Sequence, residues 1–165
     1  MLNFARLDGP GTREPAGETD SERLFNFVMR DFDPGDVIMS LRRSIARTIE
    51  LGPFSGLNFL FSDGEKLYAY RLGIFELHWL ARPGQLLVAS EQLTENERWH
   101  SVQQDVLLVL DPSDVEEPHA ERLVGDALVA RADIRKFHEG TDLQGAERGR
   151  FAAERAARMS TAPTG

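Results

Sequence analysis

The densest group of chemically capable side chains is Thr19-Asp20-Ser21-Glu22, in which two hydroxyls and two carboxylates occupy four consecutive positions. At the start of a helix this pattern has two readings. In the first, the Thr19 hydroxyl accepts from the backbone N–H three residues on and Glu22 reaches back to the Thr19 N–H, a reciprocal capping box. In the second, Asp20 stands at the mouth of the helix as part of a binding site. The two are compatible, because Thr19 can cap while Asp20 faces a ligand.

The other candidate groups carry less. His78, His100, His119 and His138 have no histidine partner three or four residues away and no HExxH pattern, so they predict surface or half-buried side chains rather than a metal site. Neither a phosphate-binding P-loop nor a dinucleotide-type GxGxxG is present, and no cofactor is expected. Ser40, Ser44, Ser62 and Ser90 lack the context of a nucleophile elbow. The chain contains no cysteine, which removes disulfides, thiolate metal sites and a cysteine nucleophile from the sequence as it stands.

These residues need a scaffold, and the periodicity predicts one. Gly and Pro at 9, 10, 11 and 15 mark residues 1–16 as loop. A helix is predicted over 20–31, with Leu24/Val28 and Phe25/Met29/Phe32 as apolar neighbours three or four apart. "DFDPGD" reads as a stop and a restart, with Asp33 as N-cap and Pro34 at the first helical position. Ile38, Leu41, Ile45 and Ile49 form the apolar stripe of this second helix, which Gly52 can end in a left-handed conformation. From residue 55 the period changes to two. "GLNFLFSDGEKLYAYRL" is a hairpin turning at Asp63-Gly64. It is apolar on both faces: Leu57, Phe59 and Phe61 against Leu60, then Leu67 and Ala69 against Tyr68 and Tyr70. Such a sheet must be covered on both sides. Further strands are predicted at 74–80, 85–89 and 104–110. The fold class is therefore α+β, two helices followed by a mainly antiparallel sheet. The Ala/Arg/Glu-rich stretch 141–165 reads as a marginal helix ending in disorder, outside a domain spanning 1–140.

Composition narrows the function classes. The net charge of −8 disfavours nucleic-acid binding, which requires a basic face to displace phosphate counterions. No apolar run is long enough to span a membrane. No basic stretch followed by an apolar one opens the chain, which predicts a cytoplasmic protein with no membrane partner.

Three segments together resemble the class II glutamine amidotransferase family, which has the N-terminal-nucleophile (Ntn) hydrolase fold. They are Gly17-Glu18-Thr19-Asp20-Ser21-Glu22, Asn58-Phe59-Leu60-Phe61-Ser62-Asp63-Gly64, and Val88-Ala89-Ser90-Glu91 with Trp99 further along. They occur in the family's order and at about its spacing, over residues 17–112. The resemblance implies an αββα sandwich, here partial. It also implies a glutamine site in which Asp20 accepts hydrogen bonds from the α-ammonium of L-glutamine, while Gly17 and Thr19 shape the neighbouring backbone. A carboxylate facing an ammonium in a partly dry pocket makes the charge-assisted hydrogen bonds that identify a free amino acid. Glu22, Asn58, Asp63, Ser90 and Trp99 are read as structural: the cap accounts for Glu22, turn chemistry for Asp63 and core packing for Trp99.

The departures from the family are severe. Its chemistry uses an N-terminal cysteine and an H-N-G oxyanion segment, and neither occurs here. By spacing, "MLNFARLDG" corresponds to the residues just after that segment, so the chain resembles the later part of the domain. The expectation is a truncated amidotransferase-like protein, inactive alone, with strand edges and apolar faces that call for an N-terminal half or for self-association. The alternatives are a non-catalytic binding or assembly module on the same scaffold and an unrelated α+β domain in which the three motifs coincide by chance.

Overall fold

The computed structural model describes residues 19–135, within a compact unit that runs to Arg135. Gly17, His138, the loop expected over 1–16 and the marginal helix expected over 141–165 lie outside the described residues. Helix α1 spans Asp20–Arg30 with Thr19 as its N-cap, and α2 spans Val37–Leu51. Strands β1 (Phe59–Ser62), β2 (Leu67–Arg71), β6 (Val106–Asp111) and β7 (Asp114–Arg122) form one antiparallel sheet in the order β1-β2-β6-β7. Strands β3 (His78–Arg82), β4 (Gln85–Ala89) and β5 (His100–Ser101) form a second, in the order β4-β3-β5. A short α3 covers Asp126–Val129. The class is α+β. Among the described residues no helix is long and apolar enough to cross a membrane.

The two-faced hairpin decides the layering. Register sets Phe59 opposite Tyr70 and Phe61 opposite Tyr68, and Tyr68 and Tyr70 opposite Val109 and Leu107. These side chains pack with Phe27 and Val28 of α1 and with Leu41, Ile45 and Ile49 of α2. The alternate residues Leu67, Ala69, Leu108 and Leu110 point the other way and pack against Trp79, Leu86 and Val88 of the second sheet. The first sheet is thus sandwiched between a helix layer and a second sheet, as a strand pair apolar on both faces requires. Each fully buried aliphatic or aromatic side chain in these layers contributes roughly 1.5–3 kcal/mol. Leu60 shares the second face but sits on edge strand β1, and it is 55% exposed.

Several expectations need correction. The second helix does not start at Pro34. Asp33 Oδ1 accepts from Gly35 N at 2.9 Å and Asp33 O accepts from Asp36 N at 3.1 Å. Asp33-Pro34-Gly35-Asp36 is therefore a turn, and Asp36 caps α2 through Met39 N at 3.1 Å. Gly52 ends α2 at φ 144, ψ −166, which is not the left-handed helical conformation but is still one that glycine alone adopts readily. The strand expected at 74–80 is shifted to His78–Arg82, because residues 73–76 are used in the connection between the sheets. The strands form two antiparallel sheets. Strand β7 and α3 are additions to the expected elements: "DVEEPHAER" is polar and carries Pro118, which suits only an edge strand. β7 is such an edge, and its pairing with β6 shifts register between Val109 and Asp111.

Candidate functional site

At the mouth of α1 the Thr19 half of the capping box is in place. Thr19 has extended backbone and its Oγ1 accepts from Glu22 N at 3.3 Å. Asp20 is the first residue of α1. Gly17 lies outside the described residues, so of the three residues expected to bind glutamine, the structure places Thr19 at the cap and Asp20 directly after it.

The hairpin strand β1, at the edge of the first sheet, lies beside α1. Phe25, Met29, Phe32 and Pro34 line a groove of about 330 Å3 with Leu60, Phe61 and Asp63. The Phe32 and Phe61 rings lie 5.2 Å apart. Asp63 works as turn chemistry predicts: Oδ1 accepts from Glu65 N at 2.9 Å and Lys66 N at 2.7 Å, and Oδ2 accepts from the Tyr68 hydroxyl at 2.8 Å. Backbone donors first, then the phenol, hold the Asp63 carboxyl below its ordinary range. Burial and this same hydrogen bond push the Tyr68 phenol up to about 12. Asn58 Oδ1 accepts from Leu72 N at 3.2 Å and its Nδ2 donates to Glu76 O, also at 3.2 Å, which ties β1 to the crossover between sheets. The third segment, 88–91, ends β4 in the second sheet, on the far side of the first sheet from α1.

A larger cleft, about 500 Å3, opens at one end of the second sheet, lined by Trp79, Arg82, Glu97, Arg98, His100 and Glu117. The Trp79 and His100 rings stack at 4.4 Å. Arg82 Nε and Nη2 each meet a Glu97 carboxylate oxygen at 2.6 Å. Thr94 Oγ1 donates to Glu97 at 2.6 Å and accepts from Trp99 Nε1 at 3.0 Å. This chain pins the 90–99 connection to β3. The Arg82 fork, aided by Thr94, lowers the Glu97 carboxyl to about 2, from an ordinary 4.5. Because the folded value lies below the ordinary one, the fork's contribution is complete above about pH 4.5 and is lost as pH falls through about 2. We expect tryptophan emission to shift to the red over that window, and Glu97→Gln to show the shifted emission already at pH 7. An acid titration by fluorescence checks both.

The histidines are not all peripheral. His78 is only 4% exposed. Its Nε2 lies 3.0 Å from Glu76 Oε2 and its Nδ1 lies 3.3 Å from Ser101 Oγ. Neither Glu76 nor Ser101 stands out in the sequence, since Glu76 lies in a connection and the His78–Ser101 pairing depends on a strand register 23 residues away. Among the described residues no group of three or more His, Cys, Asp or Glu is placed to hold a metal ion.

Comparison with known proteins adds little that is chemical. No family model matches the chain. The chain is 31% identical over 87 residues to an uncharacterized protein of Methanocaldococcus jannaschii, an alignment covering 50% of this chain and 24% of that relative. The aligned part is therefore about a quarter of the relative's length.

Proposed function

We propose that this chain is the later part of a class II glutamine amidotransferase-like domain, retaining the amino-acid-recognition end of the glutamine site without the nucleophile. The observation that carries this reading is the layering. A two-faced antiparallel sheet lies between two helices and a second antiparallel sheet, three of the four layers of an αββα Ntn-hydrolase sandwich. The helix that would present Asp20 to a substrate ammonium opens with its first turn capped by Thr19. The parent activity would be hydrolysis of the glutamine amide with transfer of ammonia. With no cysteine in the sequence, this chain alone releases no ammonia from glutamine.

Calorimetry tests the binding claim. L-glutamine is expected to bind and N-acetyl-L-glutamine, which lacks the ammonium, is not. Asp20→Asn should weaken L-glutamine by about 10- to 100-fold, the worth of a hydrogen bond to a charged group. Equal binding of the acetylated compound would refute the role of Asp20, and ammonia release by the pure chain would refute the inactive assignment.

The second reading, an assembly module, is favoured by one observation. β1 is an edge strand, and beside it Phe25, Met29 and Leu60 are 51%, 38% and 55% exposed. An unpaired edge next to apolar surface is a template for pairing. A sizing column distinguishes the two readings: a discrete dimer abolished by Leu60→Lys favours the module, and rescue by an added N-terminal half favours the partial domain.

A further inference from the structure

Glu76, His78 and Ser101 form one hydrogen-bonded line on the second sheet. The β3–β5 register sets His78 directly across from Ser101, which brings the Ser101 hydroxyl to 3.3 Å from Nδ1. On the other side of the ring Glu76 Oε2 lies 3.0 Å from Nε2. The carboxylate of Glu76 only accepts, so in the neutral imidazole Nε2 carries the proton and donates it to Glu76. Nδ1 is then left with its lone pair facing the serine, and the Ser101 hydroxyl donates to it. A nucleophile within reach of a base, the base oriented by a third group, is the geometric signature of an activated hydroxyl. The 3.3 Å separation is the looser value that such pairs show without substrate.

Placement and exposure suit that use. The His78 side chain is 5% exposed, whereas Glu76 is 67% exposed and Ser101 is also exposed. The base is shielded while the nucleophile meets solvent. The backbone on both sides is pinned by one guanidinium: Arg71 Nε donates to Phe75 O at 3.0 Å, and Arg71 Nη1 donates to Val102 O. Val102 N donates to Leu77 O at 2.8 Å, and Asn58 Nδ2 holds Glu76 O at 3.2 Å. The segments carrying Glu76 and Ser101 are thereby locked to each other before any substrate arrives.

We infer that Ser101 is a nucleophile toward small activated esters, with His78 as its general base and Glu76 as the positioning residue. The Ser101 Oγ–carbon bond forms as the Oγ proton passes to His78 Nδ1. The tetrahedral adduct then expels the alcohol, which takes that proton. Water next attacks the acyl-serine, giving a proton to Nδ1. The Oγ–carbon bond breaks, the proton returns to Oγ, and the carboxylic acid leaves. No oxidant or reductant is involved.

The test uses the full chain with p-nitrophenyl acetate and, separately, an alkyl fluorophosphonate. One equivalent of p-nitrophenolate should appear as a burst, and peptide mapping should place both the acetyl and the phosphonyl adduct on Ser101. Ser101→Ala should abolish the burst. His78→Gln should slow it by about a hundredfold, the contribution of a general base. Glu76→Gln should slow it and Glu76→Asp should restore part of the rate, a rescue that a merely structural carboxylate would not show. Ser101 and Glu76 are exposed, so these variants remain informative even where His78→Gln fails to fold. An unchanged burst in Ser101→Ala, or adducts only at other residues, would overturn the assignment.

Discussion

Replacing Asp105 by alanine is expected to cost about 3–5 kcal/mol, because it leaves several buried donors without their acceptor at once. Asp105 is fully buried, and its carboxylate gathers donors from three places. Oδ1 accepts from the Tyr70 hydroxyl at 3.0 Å and from Val124 N at 2.9 Å. Oδ2 accepts from Gly125 N at 2.8 Å and lies 3.4 Å from Arg122 Nε. Burial, reinforced by the Asp105 charge, drives the Tyr70 phenol well above its ordinary value, so this hydroxyl stays a donor throughout the accessible pH range. Alanine would strand the phenol and two backbone N–H groups, each costing about 1–3 kcal/mol when left unsatisfied in the interior.

Asp105 also has φ 60, a left-handed backbone that aspartate and asparagine tolerate better than alanine does. Asparagine keeps that backbone and one acceptor oxygen but turns a donor toward the remaining N–H groups, so Asp105→Asn should fall between wild type and alanine. Urea denaturation of the three proteins measures this. An alanine variant within about 1 kcal/mol of wild type would show that water replaces the carboxylate, and the network would then be dispensable. Against a total stability of about 5–15 kcal/mol for a domain of this kind, the loss is large enough to unfold a marginal one.

The second large effect is expected at Gly73, where alanine should cost about 3 kcal/mol or more. Gly73 has φ 122, and a Cβ there would lie 2.5 Å from Gly56 Cα and closer still to the Ser55 carbonyl oxygen. Those neighbours are backbone, and they are fixed. Gly56 and Gly73 pair as an isolated antiparallel bridge, Ile74 N donates to Ser55 O at 2.9 Å, and Leu57 N donates to Leu72 O at 2.7 Å. Gln104 brackets Gly73 from the other side, accepting from its N at 2.8 Å and donating to its O at 2.7 Å. Nothing in that bracket can yield without breaking hydrogen bonds. Gly52 provides the control. Its φ is 144 with no atom near a built Cβ, so Gly52→Ala should cost only the backbone strain, about 1–2 kcal/mol. Thermal unfolding of the two variants side by side separates strain from collision. Equal losses would mean that the Gly56–Gly73 approach opens at little cost.

Much of the local structure was legible in the sequence. Apolar spacing located α1, predicted at 20–31 and found at Asp20–Arg30. The strand expected at 85–89 is found at Gln85–Ala89, and Thr19 caps as its spacing to Glu22 implies. Asp63-Gly64 turns the hairpin because the Asp63 side chain bonds forward within three residues, a reach wholly contained in the local sequence. The two-sided apolar character of that hairpin also determined that both faces of the sheet would be covered.

The layer that covers each face was decided only in three dimensions. The split into two sheets and the edge position of β7 depend on pairings between strands distant in sequence, which local periodicity does not encode. The start of α2 turned on competition between two nearby carboxylates, settled when Asp33 was used by the turn and Asp36 was left to cap. Asp105 and His78 show the same limit more sharply. Each is an ordinary polar residue in the sequence, next to an apolar run. The fold buries them and sets Tyr70, Val124 and Gly125 around one and Glu76 and Ser101 around the other. A buried polar group must find partners, but strand register and layer packing choose which ones, and those partners determine what the group can do.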